Sequence, residues 1–408
     1  GPAMEDSMKH GYLATAMAVG LTFATGFSSP SFGQSSVKIG ILMGFTGPIE
    51  SLAVGIAAGA KIALAEVNDS GKLVGGMTLE AVDADTTCTD SAATTASAER
   101  LINGEGVAAI VGALCSGATI ASANNVAVPN GVVMISPAST SPAVTGLNDN
   151  GLVFRTAPSD ARQGQILANV LSAKGIKNVA LSYTNNDYGK GFADSFNAAF
   201  ENMGGTVALS AGHEDNKADY SAEVAALSAT GADHLVVLGY LDQGGKGIID
   251  QAIKSGAFSS FSGGDGMIGQ SIIDALGDGI NGMIGTRPGG ENDGAKMFAE
   301  IAESNGLKID GPFQGEAYDG AALIALAIQA GGSADRAKIA GNILSVANAP
   351  GEKIQPGELA KALEILAGGG DVNYEGASMV ELNDAGDPPG AYLELIVKNG
   401  AWTTVKAH

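Results

Sequence analysis

Residues 108–145 read AAIVGALCSGATIASANNVAVPNGVVMISPASTSPAVT. The apolar run Ala108–Val111 ends at Gly112 and gives way to a tight polar loop, Leu114-Cys115-Ser116-Gly117. Past the loop, Ile120, Ala123 and Ala127 keep the spacing of one helix face, which Pro129 ends. A second apolar run, Val132–Ile135, stops at Ser136-Pro137-Ala138-Ser139-Thr140. Strand, loop, helix, strand and loop make a βαβ unit. Its right-handed crossover brings both loops to the carboxyl edge of one sheet, where open α/β sheets bind small molecules. The hydroxyls of Ser116, Ser139 and Thr140 fit either of two roles there: ordinary helix capping, or donors to an anionic ligand beside free helix N–H groups.

The same alternation extends to both sides. Val37–Met43 reads as a strand that breaks at Gly44 into Phe45-Thr46-Gly47-Pro48. A helix follows, with Ile56, Ala60, Ala63 and Val67 on its buried face, and Asn68–Gly71 stops it. Strand Thr78–Val82 and helix Ser91–Asn103 lead into the opening stretch, the pattern of a parallel sheet wrapped by helices. Around Phe154–Pro158 the pattern restarts: helix 161–173, strand 179–183, helix 189–203, strand 206–210, helix 221–229, strand 234–238, helix 246–254 and a short strand 258–262. A second α/β unit of similar build is therefore expected. Near Gly285-Thr286-Arg287-Pro288 the order breaks, and helices dominate over 295–303, 318–330, 334–344 and 357–367. Two strands, 391–397 and 402–405, close the chain as a hairpin around Asn399-Gly400. The Gly- and Pro-rich segment Lys353–Tyr374 reads as a surface insertion with no functional signal.

A chain of 408 residues, 45% hydrophobic and 16% charged, is long enough for two domains of an ordinary globular protein. Its net charge of −21 repels nucleic acid and anionic membrane surfaces, so no nucleic-acid partner is expected. Residues 1–7 read as an expression scar before Met8. Residues 8–33 read as a secretory signal, with basic Lys9 and His10, an apolar stretch Leu13–Gly26, and small residues at Ser31-Phe32-Gly33 for cleavage before Gln34. That stretch is shorter than the roughly 20 apolar residues of a span, and no cysteine stands at the cleavage point to carry a lipid. An exported, periplasmic and unanchored protein is expected. Export makes the pair Cys88 and Cys115 a candidate disulfide rather than two buried thiols.

Catalytic and cofactor signals are sparse. Four histidines (His10, His213, His234, His408) build no metal site, and His234 reads as structural. Ser35-Ser36-Val37-Lys38 matches a serine–lysine pattern but lies at the mature terminus. Gly264-Asp265-Gly266-Met267-Ile268-Gly269 satisfies the dinucleotide fingerprint literally, but no acidic residue follows at the required distance, so no cofactor is expected. Asp265 itself sits in a glycine-lined loop at a strand's end, where it could face a cation or simply make a turn. Tyr188 and Tyr240, also at strand ends, either line a pocket or cover the edge of a core.

Taken together, the chain resembles the branched-chain amino-acid-binding proteins of bacterial ABC importers, the periplasmic leucine/isoleucine/valine-binding type. Gly47-Pro48, the Cys88 loop, Gly112-x-x-Cys115-Ser116, Met134-Ile135-Ser136-Pro137-Ala138-x-Thr140, Phe154-Arg155-Thr156 and Asp187-Tyr188-Gly189-x-Gly191 carry the resemblance, which covers nearly the whole mature chain. It implies the type I periplasmic-binding-protein fold, α/β with two doubly wound parallel-sheet lobes joined by a three-segment hinge. The expected lobes are 34–154 plus 287–375, and 155–286 plus 376–408. By the same resemblance Ser116 and Thr140, with main-chain N–H groups near Gly117 and Ala118, hold a ligand carboxylate. The Ala138 carbonyl, the Thr140 hydroxyl and Asp265 meet its ammonium; Ser139 belongs to the same loop. Tyr188 and Tyr240 cover the ligand, and Cys88 and Cys115 match the family disulfide. Leu52 departs from the family, standing where the best-known members place a tyrosine over the side-chain pocket. Asp265 is shorter than the glutamate usual there.

The implied function is capture of an α-amino acid, aliphatic or branched, in the cleft between lobes. Hinge closure and delivery to a membrane permease follow, without catalysis and as a monomer. The alternatives keep the scaffold but bind γ-aminobutyrate or a polar amino acid, or present the ligand to a receptor. A secreted hydrolase or dehydrogenase lacks its nucleophile and cofactor signals here, and a DNA-binding regulator lacks its helix-turn-helix.

Overall fold

A computed structural model describes residues 35–408; the scar and signal expected over residues 1–33 lie outside the described residues. The first lobe is built on strands β1 (Ser36–Met43), β2 (Thr78–Asp85), β3 (Ala109–Gly112), β4 (Val133–Ser136) and β5 (Val153–Arg155). Helices α1 (Glu50–Ser70), α2 (Ser91–Glu99), α3 (Ser116–Ser122) and α4 (Pro142–Thr145) connect them. The five strands run parallel in the order β2-β1-β3-β4-β5. Both faces of this sheet are covered, so β3 and β4 are buried at every residue, as continuous apolar runs in parallel sheets should be.

The second lobe repeats this plan. Its elements in chain order are α5 (Asp160–Ala173), β6 (Asn178–Thr184), α6 (Asp187–Asn202), β7 (Thr206–His213), α7 (Ser221–Ser228), β8 (His234–Leu238), α8 (Gly244–Ser255), β9 (Phe261–Gly263), α9 (Gln270–Leu276) and β10 (Ile284–Pro288). The chain then returns to the first lobe with α10 (Asp293–Ser304), α11 (Gln314–Gly331), α12 (Arg336–Ala347), β11 (Glu352–Ile354), α13 (Leu359–Ala367) and β12 (Val372–Tyr374). It ends in the second lobe with β13 (Tyr392–Lys398) and β14 (Ala401–Ala407). The second sheet has seven strands in the order β14-β13-β10-β9-β8-β6-β7, so β7-β6-β8-β9-β10 mirrors the strand order of the first. The terminal hairpin adds antiparallel to β10. In each sheet the order reverses beside the first strand, between β1 and β3 and between β6 and β8. Loops leaving the carboxyl ends on the two sides of such a point diverge and leave a crevice.

Two expectations need correcting. Residues 284–288 do not break the pattern. They form β10, held by parallel β9 on one side and antiparallel β13 on the other, with Pro288 at the strand's last position where its missing N–H does least harm. Nor is Lys353–Tyr374 a surface insertion. It folds as the two-stranded parallel sheet β11-β12 around α13, and Ile354, Leu359, Ala362, Leu363 and Tyr374 are buried. The Tyr374 hydroxyl donates to Asp319 Oδ1 at 2.6 Å on α11. That helix has every residue from Ala317 to Ile328 buried, because α1, α12 and α13 pack against it; the run is apolar except for Tyr318 and the hydrogen-bonded Asp319, the pattern of a core helix.

Candidate functional site

The loops leaving β3, β4, β8 and β9 meet between the lobes, together with the starts of α1 and α6. β3 ends at Gly112 with φ +138°, and a Cβ there would stand 2.2 Å from the Leu42 carbonyl oxygen, so only glycine lets the chain turn into the 113–116 loop. α3 opens at Ser116 with Cys115 before it and no side chain capping its start. The Ser116 hydroxyl instead accepts the Ser141 N–H at 3.1 Å, which joins the β3 loop to the β4 loop. Cys115 is bonded to Cys88, from the loop after β2, with Cα atoms 5.4 Å apart. That bridge closes a loop over a sequence separation of 27, which in the chain-entropy picture contributes about 3.5 kcal/mol. Reduction, or Cys88→Ser with Cys115→Ser, should lower the unfolding free energy in urea by about that amount. A loss under about 1 kcal/mol would mean the loops are held by packing alone.

A cavity of about 340 Å³ lies between these loops, lined by Ile49, Leu52, Ile56, Leu114, Cys115, Ser116, Ala138, Tyr188, Tyr240, Asp265, Gly266 and Phe313. Its two walls differ in chemistry. Ile49, Leu52 and Ile56 line it from the start of α1 at helical spacing and, with Leu114 and Phe313, make the apolar wall. Ser116 from the first lobe and Asp265 from the second supply its polar groups. Tyr188 and Tyr240 stack on each other, centroids 5.1 Å apart and planes 16° from parallel, and Tyr188 also packs edge-on against Phe192.

Asp265 is 3% exposed and accepts Gln163 Nε2 at 2.7 Å. The same Gln163 amide donates to Asp160 Oδ1, also at 2.7 Å, and Thr140 donates its hydroxyl to Asp160 Oδ2 at 2.7 Å. A chain of hydrogen bonds therefore runs behind the cavity from the β4 loop to the β9 loop: Thr140, Asp160, Gln163, Asp265. Two buried carboxylates share one neutral amide. Burial pushes Asp265 up to about 6, against hydrogen bonds from Gln163 and Tyr188 that hold it down. Burial, then the charge of Asp265, pushes Asp160 well above the usual carboxylate range.

Of the residues expected at a ligand site, the cavity brings together Leu52, Ser116, Ala138, Tyr188, Tyr240 and Asp265. Gly117 does not face it; it lines a wider polar cleft of about 1010 Å³ with Asp187, Lys190 and Asp215. Ser139 is turned inward, its hydroxyl on Thr119 Oγ1 at 2.7 Å and on the Leu114 carbonyl at 3.1 Å, where it fixes the loops. Thr140 stands behind the lining, committed to Asp160. The glycines of the dinucleotide-like motif serve packing: a Cβ at Gly266 would lie 2.4 Å from the Gly239 carbonyl oxygen, too close for any side chain.

Residues 36–353 match the family model described as periplasmic binding protein. The leucine-, isoleucine-, valine-, threonine- and alanine-binding protein of Pseudomonas aeruginosa is 30% identical over 331 residues, 80% of this chain and 86% of the relative. The chain belongs to the periplasmic binding proteins of the branched-chain amino-acid-binding type. Solved structures agree. A leucine-binding protein from Thermotoga maritima superposes with a TM-score of 0.74 at 25% identity, over 91% of this chain and 98% of that one. A branched-chain amino-acid transporter substrate-binding protein from Streptococcus pneumoniae, in complex with isoleucine, gives 0.75 at 23% identity over 91% and 99%, a likeness of fold. The matching family model and the Pseudomonas aeruginosa relative are both described as binding proteins.

Membership accounts for the residues read from the sequence but not for those behind them. Asp160 and Gln163, one helical turn apart on α5, carried a legible i,i+3 signal that only the distant Asp265 makes meaningful. Phe313 had none: it takes φ +79° at the start of α11, which an aromatic residue rarely adopts and which aims it into the cavity wall.

Proposed function

We propose that this chain is an extracytoplasmic, periplasmic solute-binding protein of an ABC importer. It captures an aliphatic α-amino acid in the cavity between Ser116 and Asp265 and delivers it to a membrane permease without chemistry. One observation carries the reading: a cavity between the lobes has a buried carboxylate on one lobe, with no cation paired to it among the described residues, a hydroxyl at a helix start on the other, and an aliphatic wall beside them. A zwitterion taken out of water needs its carboxylate met by donors and its ammonium by acceptors. Ser116 serves the first need. Asp265 and the Ala138 carbonyl serve the second, with Thr140 holding the loop through Asp160. Ile49, Leu52, Ile56, Leu114 and Phe313 then receive the side chain. The site draws on both lobes, so the ligand favours the closed form, which the permease reads. The names of the relatives, which are leucine- and isoleucine-binding proteins, support this ligand class.

The test is a thermal-shift panel on protein unfolded and refolded to strip retained ligand, followed by calorimetry. Leucine, isoleucine, valine and alanine are expected to raise the melting temperature. A panel in which only γ-aminobutyrate, aromatic acids or sugars did so would refute the aliphatic assignment.

A further inference from the structure

Helix α1 lacks a cap from its own segment: Ile49 precedes it and offers no side-chain acceptor. The acceptor comes from the other lobe. Asp242, in the loop after β8, takes the Ser51 N–H on Oδ2 at 2.8 Å. Its Oδ1 accepts the Ser271 hydroxyl at 2.7 Å within its own lobe, and its N–H donates to the Pro48 carbonyl at 3.0 Å. The Ser51 and Ser271 hydroxyls also meet, at 3.1 Å. One carboxylate thus spans the cleft, with an oxygen on each lobe, against the positive end of a 21-residue helix. Pro48, Ser51, Asp242 and Ser271 do not line the ligand cavity, although Ile49 and Leu52 beside them do.

We propose that Asp242 is a positioning residue for closure, a carboxylate of the second lobe that caps helix α1 of the first and tightens every ligand alike without touching it. This rests on the reading of the cavity as a site that closes on an amino acid. When the lobes part, the first N–H groups of α1 return to water. When they meet, the cap forms whatever ligand is inside. A contact that favours only the closed state scales all affinities by one factor and leaves their ratios unchanged.

Calorimetry with leucine and with alanine on Asp242→Ala, Asp242→Asn and wild-type protein tests this. In Asp242→Ala both dissociation constants should rise by the same factor, about tenfold or 1.4 kcal/mol, with faster dissociation and an unchanged melting temperature without ligand. Asp242→Asn keeps an acceptor that caps helices as well as aspartate and should recover most of the loss. Constants within twofold of wild type, factors that differ between leucine and alanine, or a melting temperature lowered equally with and without ligand would each overturn the proposal. Wild-type protein that bound neither amino acid would refute the amino-acid reading instead. The clasp would then be read with whichever compound of the panel raises the wild-type melting temperature: in its presence the Ser51 amide should exchange more slowly in wild type than in Asp242→Ala, and equal rates overturn it.

Discussion

Asp265→Ala should abolish tight binding, raising the dissociation constant for leucine by roughly thirtyfold to several thousandfold. Truncating one member of a buried, hydrogen-bonded charge pair costs about 2–5 kcal/mol. Much of that cost is the ligand ammonium left in the cavity with only the Ala138 carbonyl to meet it. Asp265→Asn keeps the shape and an acceptor oxygen but not the charge, and should fall in between. The pH dependence separates the two. Burial raises Asp265 to about 6, so leucine affinity in the wild-type protein should weaken as the pH falls through about 6, because a proton then competes with the ammonium. Asp265→Asn should be flat across that window. Stability without ligand runs the other way. The folded protein holds this proton more firmly than an unfolded chain of ordinary carboxyl pKa, so between about 4 and 6 the folded state binds more protons. Its stability is gained as pH falls through that window and lost as pH rises. At neutral pH the ionised Asp265 therefore destabilises the empty site, an effect the ligand offsets. Asp265→Asn should then melt higher than wild type without ligand at pH 8 while binding worse. A variant that binds leucine within threefold of wild type would show that the aspartate only shapes its turn.

Short-range pattern made much of this molecule legible. Strand and helix alternate with loops at each strand's carboxyl end, and the order Ala108–Thr145 contains one complete βαβ unit whose loops reach the cavity. What escaped was decided at long range. Gly285-Thr286-Arg287-Pro288 has the composition of a break, yet Leu393 and Leu395, over a hundred residues later, give β10 a partner. The segment 353–374 carries enough Gly and Pro to read as a loop. Its apolar residues fall into the face that α1 and α11 leave open, and tertiary burial overrides local propensity. In the site, hydroxyl-bearing residues looked equivalent in sequence. The fold separates them: Ser116 faces the cavity, Ser139 ties loops together, and Thr140 holds Asp160. Spacing cannot tell a hydroxyl that faces ligand from one that faces backbone.

Arg155→Met should lower the unfolding free energy by about 3–5 kcal/mol, the range for breaking a buried ion pair from one side. Arg155 is completely buried and places its guanidinium donors with little to spare. Nε and Nη2 form a fork on Asp387, both at 2.8 Å, and Nη2 also reaches Thr145 Oγ1 at 2.7 Å. Nη1 donates to the Ser139 carbonyl at 3.1 Å and the Ser141 carbonyl at 2.8 Å. The Arg155 N–H donates to the Gly386 carbonyl at 2.8 Å, so the first and last passages of the chain between the lobes are tied at one point. Removing the side chain leaves Asp387 charged, 7% exposed and without its cation, and strands two loop carbonyls. Arg155→Lys should restore only part of the loss, because an ammonium cannot supply the planar fork that Asp387 and the loop share. Arg155→Met combined with Asp387→Leu should recover much of it, since an apolar pair of similar volume removes the orphaned charge. That double variant separates stability from function. If its unfolding free energy returns but leucine still binds weakly, the guanidinium matters for holding the 139–141 backbone, and with it Ala138 at the cavity wall and Thr140 on Asp160 behind it. If affinity returns as well, the loop keeps its shape from Ser136 and Ser116 alone, through the Ser139 and Ser141 amides that they accept. Urea unfolding of the three variants beside calorimetry with leucine decides between these. A loss below about 1 kcal/mol in Arg155→Met would mean that this buried pair contributes no more than an exposed one.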